Sequence, residues 1–169
     1  AKQALADLGG ADIHEIEEIW HGLEPPYEDL FTWLDGKAPK PERGAMALFR
    51  PVMLSTPVQD GDLAKLDPAD YVAEWKWDGI RVQAVCEGGR HRLYSRTGDD
   101  ISGSFPDVLE AMNFTGVLDG ELLVGRPPEH VGTFSDLQQR LNRKSVSAKT
   151  IRDYPAFVRC YDLLLDGEE

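Results

Sequence analysis

With 169 residues the chain is long enough for one ordinary domain with a buried core, or for one domain and part of another. Its 41% hydrophobic and 28% charged content is ordinary for a globular protein; the apolar runs are too short for a membrane-crossing helix, and AKQALADLGG lacks the basic start and apolar stretch of a secretory leader. The net charge of −12 is unevenly spread: residues 1–35 hold nine acids and one base, Lys2, whereas residues 137–152 carry Arg140, Arg143, Lys144, Lys149 and Arg152 with no acid, so composition leaves a nucleic-acid partner open.

The first 35 residues read as helices. Ile13, Ile16, Ile19 and Trp20 recur at helical spacing, with Asp12 as N-cap and Glu15 three residues on. Gly9-Gly10 separates this helix from the one before it, and Gly22 with Pro25-Pro26 stops it. A shorter helix over residues 27–34 ends at Gly36, and Trp20 and Trp33 fall on apolar faces that predict core positions. KAPKPERG, residues 37–44, has no apolar periodicity and reads as a linker.

The period then changes to two. Residues 71–77 alternate, and residues 80–86 form a second run joined to the first by Asp78-Gly79, which predicts a hairpin. Glu87-Gly88-Gly89 predicts a turn into a strand over 91–96, and Pro106 falls in the first turn of a helix over 104–112. A strand over 117–124 surrounds a second Asp-Gly, Thr133 and Asp136 make a capping box for a helix reaching Leu141, and residues 156–165 read as a buried strand. The whole predicts an α+β domain, an antiparallel sheet with interspersed helices behind a short α-helical segment. Cys86 and Cys160 lie in apolar runs without ligand spacing and predict reduced core thiols; His14, His21, His91 and His130 show no ligand spacing either.

The stretch EWKWDGIR, residues 74–81, concentrates the chemistry. On a strand Glu74 and Lys76 share one face and Trp75 and Trp77 the other, so the tryptophans can pack inward while Lys76 lines a cleft to which Arg81 returns. Asp119-Gly120-Glu121 opens a different strand, and Ser95-Arg96-Thr97 closes a third with a cation between hydroxyls. Arginines for phosphate, a carboxylate for ribose or metal, and an amine as nucleophile suit a nucleotide site. The same residues also fit a plainer account, in which each Asp-Gly is an ordinary turn and Lys76 a snorkelling surface residue paired with Glu74.

Lys-x-Asp-Gly-x-Arg resembles the nucleotidyl-lysine motif of ATP-dependent DNA ligases and of the related RNA ligases and capping enzymes. SRTGDDIS with the following FP, LDGELLV and CYDLLLDGE resemble the family's next three motifs, in the family's order, over residues 75–169. FSDLQQRLNRK is similar to the ligase segment between the last two, and FRPVMLSTPV to the start of the adenylation domain. The resemblance is nearest to bacterial, cytoplasmic enzymes with an amino-terminal helical DNA-binding domain. It implies that residues 1–43 are the end of such a domain with its linker, and residues 44–169 the amino-terminal part of an antiparallel-sheet adenylation domain.

By that resemblance Lys76 attacks the α-phosphorus of ATP and becomes lysyl-AMP, Glu74 lies beside the adenine amino group, and Arg81 and Arg96 contact ribose and phosphate. Glu121 is the ribose-side acid that also serves Mg²⁺, and Tyr161 stacks on adenine. Asp78 and Gly79 shape a turn. The implied partner is nicked double-stranded DNA, the implied enzyme a monomer, and residues 140–152 read equally as a backbone contact or a solvated helix face. The family's later Glu-Gly and Lys-x-Lys motifs are not in the chain, so the expectation is an incomplete adenylation domain with little activity alone. An RNA ligase or capping-type nucleotidyltransferase, and a non-catalytic nucleotide-binding module, remain as alternatives.

Overall fold

Helices α1 (Lys2–Gly9), α2 (Ile13–Trp20) and α3 (Glu28–Leu34) open the chain. The computed structural model describes residues 1–20, 22–23, 26–41, 47–141 and 143–167; His21, Pro25, the end of the 37–44 linker and the 43/44 boundary fall outside them. Asp12 accepts the His14 N–H at 2.8 Å, the capping role its position predicts. Ala6, Ile16, Ile19 and Leu30 are buried between the helices, while Trp20, stacked on Tyr27, and Trp33 are only half-buried. Lys40 folds back onto α2, 2.8 Å from Glu18.

Behind them stands an antiparallel sheet of β1 (Ile80–Glu87), β2 (Arg90–Ser95), β3 (Gly116–Arg126), β4 (His130–Val131) and β5 (Ala156–Asp166). β1 lies between β2 and β3, β5 runs along β3, and β4 pairs with the last residues of β3. Helices α4 (Pro106–Ala111), α5 (Phe134–Gln138) and α6 (Ala148–Asp153) intersperse the strands, so the α+β expectation holds. Thr133 and Asp136 do form the reciprocal capping box of α5, which stops three residues short of Leu141.

The strand period sorts the sheet into two faces. On one, Val82, Ala84, Cys86, Leu93, Leu122 and Val124 pack with Phe105, Val108, Met112 and Leu137 from the helical side. On the other, a smaller core joins Val85, Tyr94 and Val117 to Ala47 and Phe49. That second core seats residues 47–53 as a strap across the sheet. Buried Gln83 accepts the Arg50 N–H at 2.6 Å and donates to the Arg50 carbonyl at 2.9 Å, the Tyr94 hydroxyl donates to the Ala47 carbonyl at 2.6 Å, and the Arg50 guanidinium grips Glu87.

The structure departs from these expectations in several places. The predicted hairpin over 71–86 does not form: both edges of β1 are taken, by β2 and β3, so residues 71–77 cannot pair with β1 and run outside any strand. Trp75 is 87% exposed rather than in the core. Asp119-Gly120, by contrast, runs through the middle of β3 as the strand over 117–124 predicts, and makes no turn. β5 is half-exposed rather than buried, because among the described residues its outer edge has no partner strand; Cys160, on β5, is accordingly exposed, and only Cys86 is a core thiol.

Arg140 also leaves the basic surface to which the sequence assigned it. It is fully buried, its guanidinium donating to the Asp107 carboxylate, to the Ser104 carbonyl at 3.1 and 2.8 Å and to the Tyr154 carbonyl at 3.0 Å, with the Phe105 ring 4.7 Å away. Ser147 caps α6, which the sequence reading did not anticipate, by accepting the Thr150 N–H at 3.1 Å.

Candidate active site

Where the strap, β1, β3 and β5 meet, the open face of the sheet carries a cleft of about 600 Å³. Residues 74–77 border it with Glu74, Lys76 and both tryptophans, the sheet supplies Arg81, Glu121, Tyr161 and Asp162, and the end of the strap and the two residues after it supply Met53, Leu54 and Ser55. Five residues singled out in the sequence, Glu74, Lys76, Arg81, Glu121 and Tyr161, are thus brought together; Arg96, exposed just past β2, does not line the cleft.

Register explains the grouping. Arg81 faces Glu121 and Gln83 faces Asp119 across the β1–β3 ladder, so these four side chains share the cleft face. Asp119, 2% exposed, receives Arg81 as a fork, with Nη2 at 2.6 Å and Nε at 3.1 and 3.2 Å from its two oxygens. The remaining arm, Nη1, donates to the Met53 carbonyl at 2.7 Å and so ties the strap to the cleft wall.

Tyr161 reaches the cleft through a defect in the ladder. Gly120 pairs with Cys160 but Asp119 with Asp162, which leaves Tyr161 as the extra residue of a bulge and turns its ring out of the strict alternation. A Cβ on Gly120 would lie 2.7 Å from the Arg159 carbonyl, so the glycine allows the close approach of β5. Burial and the neighbouring Asp119 charge push the Tyr161 hydroxyl up to about 12, so it stays protonated as a donor at neutral pH.

Glu121 is held differently. It accepts the Gly79 N–H at 3.0 Å, and a Cβ on Gly79 would meet the Leu122 carbonyl at 2.3 Å, so Asp78-Gly79 is a close crossing onto β3 rather than a hairpin turn. Burial raises the Glu121 carboxyl above its ordinary value, only partly offset by the Gly79 N–H and the charges of Lys76 and Arg81. Among the described residues no group of three or more His, Cys, Asp or Glu side chains is placed to hold a metal ion. The donors present suit a divalent cation held by one or two carboxylates and by the phosphates of a ligand, the usual manner of Mg²⁺, with Glu121 as the inward carboxylate.

Sequence reasoning missed Asp119 and the strap. Asp119 stood two residues before Glu121, hence on the same strand face, and that spacing was its signal; the strap's role depends on long-range hydrogen bonds and left no local one.

An amine, a fixed guanidinium, a carboxylate and an aromatic ring around one open cleft are groups suited to a nucleotide. The chain belongs to the ATP-dependent DNA ligase domain family, whose model matches residues 52–169. A probable DNA ligase of Koribacter versatilis is 41% identical over 70% of this chain and 21% of its own length. DNA ligase 1 of Korarchaeum cryptofilum is 34% identical over 98% of this chain and 31% of its own. The solved structure of mycobacterial DNA ligase D complexed with ATP and MES is 32% identical, covering 56% of this chain and 30% of that one, with a TM-score of 0.42. The chain spans less than a third of the length of these curated relatives. No helix among the described residues is long and apolar enough to cross a membrane.

Proposed function

We propose that the full-length protein is an ATP-dependent DNA ligase that charges Lys76 with AMP and uses it to seal nicks in double-stranded DNA. The observation that carries this reading is the cleft itself, in which exposed Lys76 stands with Arg81, Glu121 and Tyr161 in a chain of the ligase-domain family. The Lys76 nitrogen, as free amine, attacks the α-phosphorus of ATP; a P–N bond forms, the bond to the β-phosphate oxygen breaks, pyrophosphate leaves, and the nitrogen loses a proton to solvent. The AMP then passes to the 5′-phosphate at a nick, and the 3′-hydroxyl displaces it as the phosphodiester closes.

Arg81, already fixed by Asp119, presents charge to phosphate or ribose without reorganising. Tyr161 offers its ring to adenine, Glu74 its carboxylate to the adenine amino group, and Glu121 an acid to the ribose side. Mg²⁺ supplies charge neutralisation on the leaving pyrophosphate, with Glu121 the residue to hold it. Arg96, exposed just past β2, is the further cation for phosphate. Residues 1–43 belong to a helical DNA-binding unit and residues 44–169 to the adenylation domain of a monomeric cytoplasmic enzyme of DNA replication, repair or recombination.

The test is intact-mass measurement of the full-length protein after incubation with ATP and Mg²⁺, alongside Lys76→Ala. An AMP adduct on the first and none on the second supports the reading. A GTP-only adduct selects a capping-type enzyme, and a folded, AMP-free protein that takes up no nucleotide covalently leaves the binding module.

A further inference from the structure

The residues around Lys76 raise a mechanical question: what holds the nucleophile in place? Among the described residues, no strand pairing and no backbone–backbone hydrogen bond ties residues 71–78 to the sheet. A lysine on such a segment would wander by more than the tolerance of an in-line attack. One side-chain contact reaches the segment and a second takes the residue just after it. Glu121 accepts the Gly79 N–H, and the Arg159 guanidinium lies over the Trp77 ring, 4.2 Å from its centroid.

These two anchors are neighbours in the sheet. Glu121 and Arg159 are directly opposed across the β3–β5 ladder, so their side chains rise side by side on the cleft face. One takes the backbone at Gly79 and the other the ring of Trp77, immediately after Lys76. Arg159 is exposed and Trp77 half-buried, and a solvent-facing arginine gives up rotamer freedom for a ring only where the stack repays it.

We propose that Arg159 is a positioning residue for Lys76, acting through the face of Trp77. This rests on the reading of Lys76 as the nucleotidyl-lysine. Arg159 is not among the residues that line the cleft; it narrows the positions from which the Lys76 amine approaches the α-phosphorus. Its loss therefore lowers the rate of adduct formation more than the affinity for ATP.

Single-turnover formation of lysyl-AMP in the full-length protein, followed against ATP concentration, tests this. Arg159→Ala should slow the step about tenfold or more, while half-saturation by ATP moves less than about twofold. Arg159→Lys keeps a cation over the ring and should recover most of the rate, and Trp77→Phe should do better than Trp77→Leu. Because both residues make one contact, Arg159→Ala combined with Trp77→Ala should be no slower than Trp77→Ala alone.

An unchanged rate in Arg159→Ala, a loss that sits in ATP half-saturation, or losses that add fully in the double variant would each overturn the proposal. If Arg159→Ala fails to fold by circular dichroism, the Trp77→Phe and Trp77→Leu pair decides the matter from the ring side. A wild-type protein that forms no adduct overturns the reading of Lys76 itself, whereas a wild-type adduct with an indifferent Arg159→Ala overturns only the positioning role.

Discussion

Asp119 holds Arg81 from inside the sheet, taking Nη2 at 2.6 Å and Nε on both carboxylate oxygens, while the other guanidinium arm reaches the Met53 carbonyl. One buried carboxylate thus sets the direction of the cleft's fixed cation and, through it, the strap. Asp119→Asn should cost about 2 kcal/mol or more, below the full penalty of a stranded buried charge because Arg81 keeps some access to water. Urea unfolding measures that loss, and adduct formation should fall with it; a variant as stable and as active as wild type would remove Asp119 from this role.

Gly79→Ala places a methyl group against the Leu122 carbonyl and the Leu123 side chain, at 2.3 and 2.8 Å. Strand β1 must then shift at its first residue, which should cost about 1–3 kcal/mol and break the hydrogen bond to Glu121. Thermal melting together with adduct formation checks both effects, and full retention of the adduct would show that the Gly79–Glu121 contact is dispensable.

Arg140 is the residue to test for stability. Arg140→Ala leaves half-buried Asp107 and two carbonyl groups without their partner and should cost about 3 kcal/mol, and Arg140→Lys should also be costly because an ammonium cannot reproduce the fork. Exposed Arg143→Ala or Lys144→Ala should change stability by about 0.5 kcal/mol or less. Chemical denaturation of the set separates the buried member of the basic segment from its surface members.

The same pair gives a pH dependence. Burial alone would raise the Asp107 carboxyl, but the hydrogen bonds and charge of Arg140, with the Ala156 N–H, hold it below its ordinary 3.8. A depressed acid contributes stability that is whole above the unfolded value and is lost as pH falls through the folded one. Stability should therefore decline below about pH 4, and Asp107→Asn should lose that part of the acid dependence while starting from a lower plateau. Urea midpoints between neutral pH and acid measure it; equal slopes in both proteins would reject the assignment.

Much of the sheet was legible because its signals are local. The alternation of residues 80–86 and 117–124, the Glu87-Gly88-Gly89 turn and the Thr133–Asp136 capping box each lie within a few residues, and β1, β3, the turn and α5 follow them. The alternation of residues 71–77 was as regular and misled, since a strand needs a free edge as well as a pattern, and β2 and β3 had taken both edges of β1. Arg140 misled for a like reason: charge is a property of the residue, but burial depends on whether Asp107 and carbonyls from distant segments converge on it.

The sequence by itself determined which chemical groups this protein brings to its cleft, because the order and spacing of Lys76, Arg81, Glu121 and Tyr161 are carried along the chain and need no partner to be read. Tertiary structure alone decided how those groups are held. The β1–β3 register gave Arg81 to Asp119, the skipped residue in the β3–β5 ladder turned Tyr161 into the cleft, the strap closed on Arg81, and Arg159 came over the ring of Trp77 beside the lysine. Each of these joins residues far apart in the chain, and such contacts exist only once the strands have paired.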